Sequence, residues 1–118
     1  VVVIPSDEAG LFSLAALQKL LNEHSERQMK ICAITSGSNV TGLMTPYHEV
    51  AKLMHQNGGL CFVDFACSGP YIHVNMHPAD PEAYLDAIYF SPHKFLGGPG
   101  TSGVLVFNKQ LYKNAVPD

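Results

Sequence analysis

Leu60-Cys61-Phe62-Val63-Asp64-Phe65 is apolar on both faces except for one carboxylate near its end. That is the composition of a parallel strand buried under helices, not of a half-exposed antiparallel one. Upstream of it, Thr45-Pro46 reads as an N-cap followed by Pro at the first helical position. Tyr47, Val50, Ala51 and Met54 then fall at i, i+3, i+4 and i+7, and Asn57-Gly58-Gly59 ends the helix they predict. Before that, residues 30–35 form a short apolar run, a predicted strand entering the turn-former cluster Ser36-Gly37-Ser38-Asn39-Val40-Thr41-Gly42. Leu14, Leu17 and Leu21 predict a helix over 11–27 with Ser13 as N-cap, and Val1-Val2-Val3-Ile4-Pro5 suits a first strand. Downstream, Asp80-Pro81 caps a predicted helical turn through Leu85. Ala87-Ile88-Tyr89-Phe90 and Val104-Leu105-Val106-Phe107 are the last two strands.

Strands alternating with helices predict an α/β fold: a mostly parallel, three-layer sheet flanked by helices, in a single domain over residues 1–118. Ligands of such sheets sit at the carboxyl ends of the strands. The polar residues that need explaining stand there: Asn39 after one strand, Asp64 ending the next, and Ser91, His93 and Lys94 after the fourth.

Composition narrows the function. A length of 118 residues, 47% of them hydrophobic, is enough for one core. A net charge of −3 without a basic block argues against nucleic acid as a partner, and no apolar run approaches the roughly 20 residues of a membrane span. Cys32, Cys61 and Cys67 are odd in number and lack CxxC spacing, so neither a disulfide framework nor a zinc ribbon is expected, and a reduced cytoplasmic setting is. His73 and His77 are four apart, but Pro70 and Pro78 bracket them and no HExxH glutamate accompanies them, so no metal site is expected. The opening β-branched run, with no polar lead-in, reads as part of something larger.

A lysine beside glycine-rich backbone serves either phosphate binding or imine formation with a carbonyl. A phosphate loop places its lysine after the glycines, whereas Lys94 precedes Gly97-Gly98-Pro99-Gly100, which leaves the second use. Pyridoxal phosphate would need an acid at its pyridine nitrogen, for which Asp64 is suited, and donors of the Asn39, Ser91 and His93 type around its oxygens. On residue type alone, Asp64 equally suits a turn cap, Asn39 its own turn, and His93 a structural histidine.

Ser91-Pro92-His93-Lys94-Phe95-Leu96-Gly97-Gly98-Pro99-Gly100-Thr101-Ser102-Gly103 resembles the S-x-H-K segment of class V aminotransferases and cysteine desulfurases, pyridoxal-phosphate enzymes of fold type I. Ser38-Asn39-Val40-Thr41-Gly42 is similar to their SNxxG loop, and Val63-Asp64-Phe65-Ala66 to their VDxA strand end, in the same order. The resemblance implies Lys94 as the Schiff-base lysine and proton-moving base. Asp64 would then sit at the pyridine nitrogen, Asn39 at the phenolate oxygen, and Ser91 with His93 at the phosphate. Many relatives carry Gln three residues after the aspartate, where this chain has Cys67. The match covers the middle and later part of the family's large domain.

Two functions are therefore expected. The first is a pyridoxal-phosphate-binding module of such an enzyme, acting on an amino acid. The second is a noncatalytic fragment or remnant that folds and covers its exposed sheet by homo-oligomerisation.

Overall fold

The computed structural model describes residues 1–116. In chain order its elements are α1 (Leu14–Glu23), β1 (Ile31–Thr35), α2 (Tyr47–Gln56), β2 (Leu60–Asp64), β3 (Ala87–Phe90) and β4 (Val104–Phe107). A short 3-10 turn over Pro92–Lys94 follows β3. The sheet order is β1-β2-β3-β4. β1, β2 and β3 are parallel, with Thr35 opposite Asp64 and Asp64 opposite Tyr89, and β4 returns antiparallel to β3. The sheet is thus α/β and mostly parallel, as the alternation of elements predicts.

The core lies between the sheet and the two helices. Cys32, Cys61, Val63 and Ile88 turn one sheet face toward Leu17, Leu21, Val50, Ala51 and Met54. Burying that face supplies the main driving force, at roughly 25 cal/mol per Å² of apolar area removed from water. Two of the three expected layers are therefore present among the described residues. The second sheet face carries Ile31 and Leu105, which remain 51% and 60% exposed. No described helix is long and apolar enough to cross a membrane.

Several local expectations are corrected. Residues 1–5 form no strand; only an isolated Ser6–Phe12 bridge occurs there, and Val1, Val2 and Val3 are exposed. A β-branched run becomes a strand only by pairing, and these residues pair with no described strand although β1 is a sheet edge. α1 spans fewer residues than the 11–27 expected. Leu11 and Phe12 belong to the preceding loop, and past Leu21 no apolar side chain before Met29 anchors further turns. Its cap is as expected, with the Ser13 hydroxyl accepting from the Ala16 amide at 3.1 Å.

At α2 the N-cap is Pro46, one residue later than read, and no side chain caps it. The Thr45 amide bonds Ser36 O at 2.9 Å, and its carbonyl accepts from the Tyr47 amide at 2.8 Å. Residues 80–85 make a turn rather than a helix. Asp80 accepts from the Glu82 amide through Oδ1 and from the Ala83 amide through its carbonyl, and Leu85 N then goes to Met76 O, outside any helix.

Candidate active site

Three chain segments leave the sheet at the same end, because β1, β2 and β3 run parallel. The loop after β1 carries Asn39, the last residue of β2 is Asp64, and the turn after β3 carries Ser91, His93 and Lys94.

The first two tips are sewn together. Ser36 donates to the Asp64 carbonyl through both its amide and its hydroxyl, each at 2.8 Å. Its single hydroxyl proton being spent there, the buried Ser68 hydroxyl donates in turn to Ser36 Oγ. The thiol of Cys67 also reaches the Gly37 carbonyl, at 3.0 Å. Beyond Gly37 the loop is held by Ser38, whose Oγ accepts from the amides of Val40 and Thr41. Asn39 is exposed at its tip, and its side chain takes no hydrogen bond among the described residues. Turn formation is thus Ser38's task, and the Asn39 amide is available to something else.

Asp64 is half-buried. Its Oδ1 accepts from the Ala66 amide at 2.7 Å, so the turn-capping role occupies one carboxylate oxygen and leaves the other outside that bond. Residues opposite one another in a ladder share a face, so Thr35, Asp64 and Tyr89 form the last row on the sheet face away from the helices. Burial pushes the Tyr89 phenol up, and the Asp64 carboxylate and then Cys61 add to the shift.

The lysine segment is folded tightly on itself. Lys94 N donates to Ser91 O at 3.0 Å, and Gly98 N to Phe95 O at 2.9 Å. A Cβ on Gly98 would lie 1.9 Å from the Pro92 carbonyl oxygen, so only glycine lets the loop close over the Pro92–Lys94 turn. Phe95 packs tilted on Phe90, ring centroids 6.0 Å apart. Its far edge would stand 3.7 Å from a Cβ on Gly69, which sets the lysine turn against the turn that follows Asp64. His93 and Lys94 are exposed, Ser91 is half-buried, and neither His93 nor Lys94 makes an ion pair among the described residues.

The backbone therefore gathers all five sequence-read residues at one end of the sheet. No hydrogen bond joins their side chains to one another among the described residues. A carboxylate oxygen, an unpaired amine, a hydroxyl, an imidazole and a carboxamide are the donor set that a pyridine nitrogen, an aldehyde and a phosphate require, so the residues fit pyridoxal phosphate in type. Asn39 and Cys67 also line a cavity of about 360 Å³ with Ser68 and Tyr71. Another cavity, about 440 Å³, lies between α1 and the start of β1, remote from these strand ends and without part in the site.

Reading the sequence missed Ser36 and Ser68, which lie among turn formers and carry no local sign of burial. His73 and His77 are exposed, and no group of three potential metal ligands occurs among the described residues.

A family profile described as aminotransferase class-V matches residues 1–117. The cysteine desulfurase of Synechococcus elongatus is 33% identical over 115 residues, covering 98% of this chain and 17% of that protein. The apo structure of the Thermococcus onnurineus NA1 cysteine desulfurase superposes with a TM-score of 0.77 at 26% identity, over 94% of this chain and 26% of that one. A structure of SPT with a PLP internal aldimine shares the fold, with a TM-score of 0.67 at 21% identity over 81% of this chain and 25% of that one. The chain spans about a quarter or less of the length of the curated relatives it matches.

Proposed function

The chain belongs to the aminotransferase class-V family, and on that premise we propose that it binds pyridoxal phosphate through Lys94 as part of an enzyme acting on an amino acid. The observation that carries this reading is the shared exit of the Asn39 loop, Asp64 and the Ser91–Lys94 turn from three neighbouring parallel strands.

Pyridoxal phosphate, when bound, supplies an electron sink for charge developing at the substrate's α-carbon. Asp64 would hold a positive pyridine nitrogen with the carboxylate oxygen not engaged by Ala66. Ser91 and His93 would donate to the phosphate, and Asn39 to the ring oxygen. Lys94 would hold the cofactor through its amine and would be the base placed to move the substrate's α-proton.

Titrating the chain with pyridoxal phosphate and following visible absorbance tests the reading. A saturable spectral change that vanishes in Lys94→Ala and weakens at least about tenfold in Asp64→Asn supports it. An unchanged titration in Lys94→Ala overturns it.

One observation favours a second reading, a self-associating chain without turnover. β4 exposes all four of its apolar residues and forms a sheet edge, the kind of surface a second copy covers. Sedimentation at increasing concentration tests it: a dimer dispersed by Leu105→Lys is the expected result, and a monomer throughout overturns it.

A further inference from the structure

Asp86 is a buried carboxylate that the proposed chemistry leaves unused, only 2% exposed immediately before β3. Its Oδ2 takes two bonds at once, from the Cys61 amide of β2 at 2.8 Å and from His55 Nε2 of α2 at 2.9 Å. Its backbone is equally engaged: the amide goes to Cys61 O at 3.1 Å, and the carbonyl receives Asn108 N at 2.7 Å, just past β4. One residue therefore touches β2, α2 and the residue that follows β4. His55 is fixed in its turn, with Nδ1 donating to the Glu82 carbonyl at 2.6 Å and its ring stacked on Tyr84 at 4.0 Å.

The composition of β3 does not fix its alignment alone. Ala87-Ile88-Tyr89-Phe90 has no polar-apolar alternation, so apart from the burial of Ile88 in the core its alignment rests on contacts made outside the strand. A slip of one residue would displace the strand by ~3.3 Å and turn every side chain to the other face, moving Tyr89 from opposite Asp64 and displacing Lys94 with it.

We propose that the His55–Asp86 pair is the register pin of β3 and thereby a positioning device that sets Lys94 relative to Asp64. Neither residue reaches the strand ends; they act through the strand that delivers the lysine. The consequence for Lys94 rests on the pyridoxal-phosphate reading above, whereas the register itself does not.

The test uses the full chain as wild type, Asp86→Asn, Asp86→Leu and His55→Ala, with two readouts. The first is amide exchange of Phe65, whose N–H bonds Tyr89 O at 2.8 Å only in the present register. The second is the share of borohydride-fixed pyridoxal phosphate found on Lys94 among all lysines. Phe65 exchange accelerated at least about tenfold in Asp86→Leu and His55→Ala, with the Lys94 share falling, is the expected result. Asp86→Asn keeps an acceptor oxygen for the Cys61 amide but loses the charge that pairs with His55, so its Phe65 exchange should fall between wild type and Asp86→Leu. If Asp86→Leu does not fold, His55→Ala carries the comparison alone. Unchanged Phe65 exchange in a folded variant overturns the pin. Accelerated exchange with an unchanged Lys94 share overturns the positioning role. Absence of label on Lys94 in the wild type overturns the cofactor reading, and the exchange data then decide the pin by themselves.

Discussion

The amide and the hydroxyl of Ser36 converge on a single acceptor, the carbonyl oxygen of Asp64, each at 2.8 Å. This double bond of donors ties the tip of β1 to the tip of β2 at the row where Asp64 stands. Ser68 completes it by donating to Ser36, so the proposed site rests on a small buried polar cluster rather than on apolar packing alone.

Ser36→Ala should lower stability by about 1–2 kcal/mol, since it removes one bond to Asp64 and orphans the Ser68 hydroxyl. The double variant with Ser68→Ala should cost less than the sum of the two single variants, because no orphan remains. Urea unfolding of the three proteins checks both expectations.

Gly98→Ala should open the lysine turn. The added Cβ would meet a backbone carbonyl, not a flexible side chain, so the loop itself must move. Limited proteolysis should then cut near residues 95–101 in the variant and not in the wild type. The stability cost should be about 1–3 kcal/mol, confined to that end of the sheet.

Lys52 and Asp80 form a 2.8 Å ion pair on the surface. The hydrogen bond between them is the largest cause that lowers the Asp80 carboxyl and that raises the Lys52 amine. A depressed carboxyl stabilises above its ordinary value of 3.8 and loses that contribution as pH falls through the folded value. A raised amine stabilises below its ordinary 10.5 and loses that contribution as pH rises through the folded value. The Tm difference between wild type and Lys52→Met should therefore be small, salt-sensitive and flat across neutral pH, and should vanish at both extremes.

Burial pushes the Cys32 thiol up to about 11, and burial followed by Cys32 and Asp86 pushes Cys61 up further. Both are core residues, whereas Cys67 is half-buried at the edge of a cavity. A thiol reagent at pH 8 should modify Cys67 first, and Cys32 and Cys61 only after denaturation, as mass mapping of the labelled peptides can show.

The parallel core of the fold was legible because each strand is a short apolar run bounded by turn formers, and because Val50, Ala51 and Met54 repeat at the helical period. The position of Lys94, Asp64 and Asn39 at one end of the sheet was legible because polar residues at strand ends stand out against apolar runs. What stayed hidden depends on partners distant in sequence. Asp86 meets His55 across 31 residues and Ser36 meets Ser68 across 32, separations at which no local pattern operates. The same holds for residues 1–5, whose strand propensity was real but which pair with no described strand. The antiparallel return of β4 was likewise unreadable from Val104-Leu105-Val106-Phe107, since an apolar run has the same composition in either direction.

The central claim is that Lys94 is the amine that meets pyridoxal phosphate. Mixing the chain with pyridoxal phosphate, reducing with borohydride and mapping the modified peptides tests it most directly. Label concentrated on Lys94, and reduced on that peptide when Asp64 is changed to Asn, is the result predicted. Label spread evenly over Lys19, Lys52, Lys113 and Lys94 would contradict it.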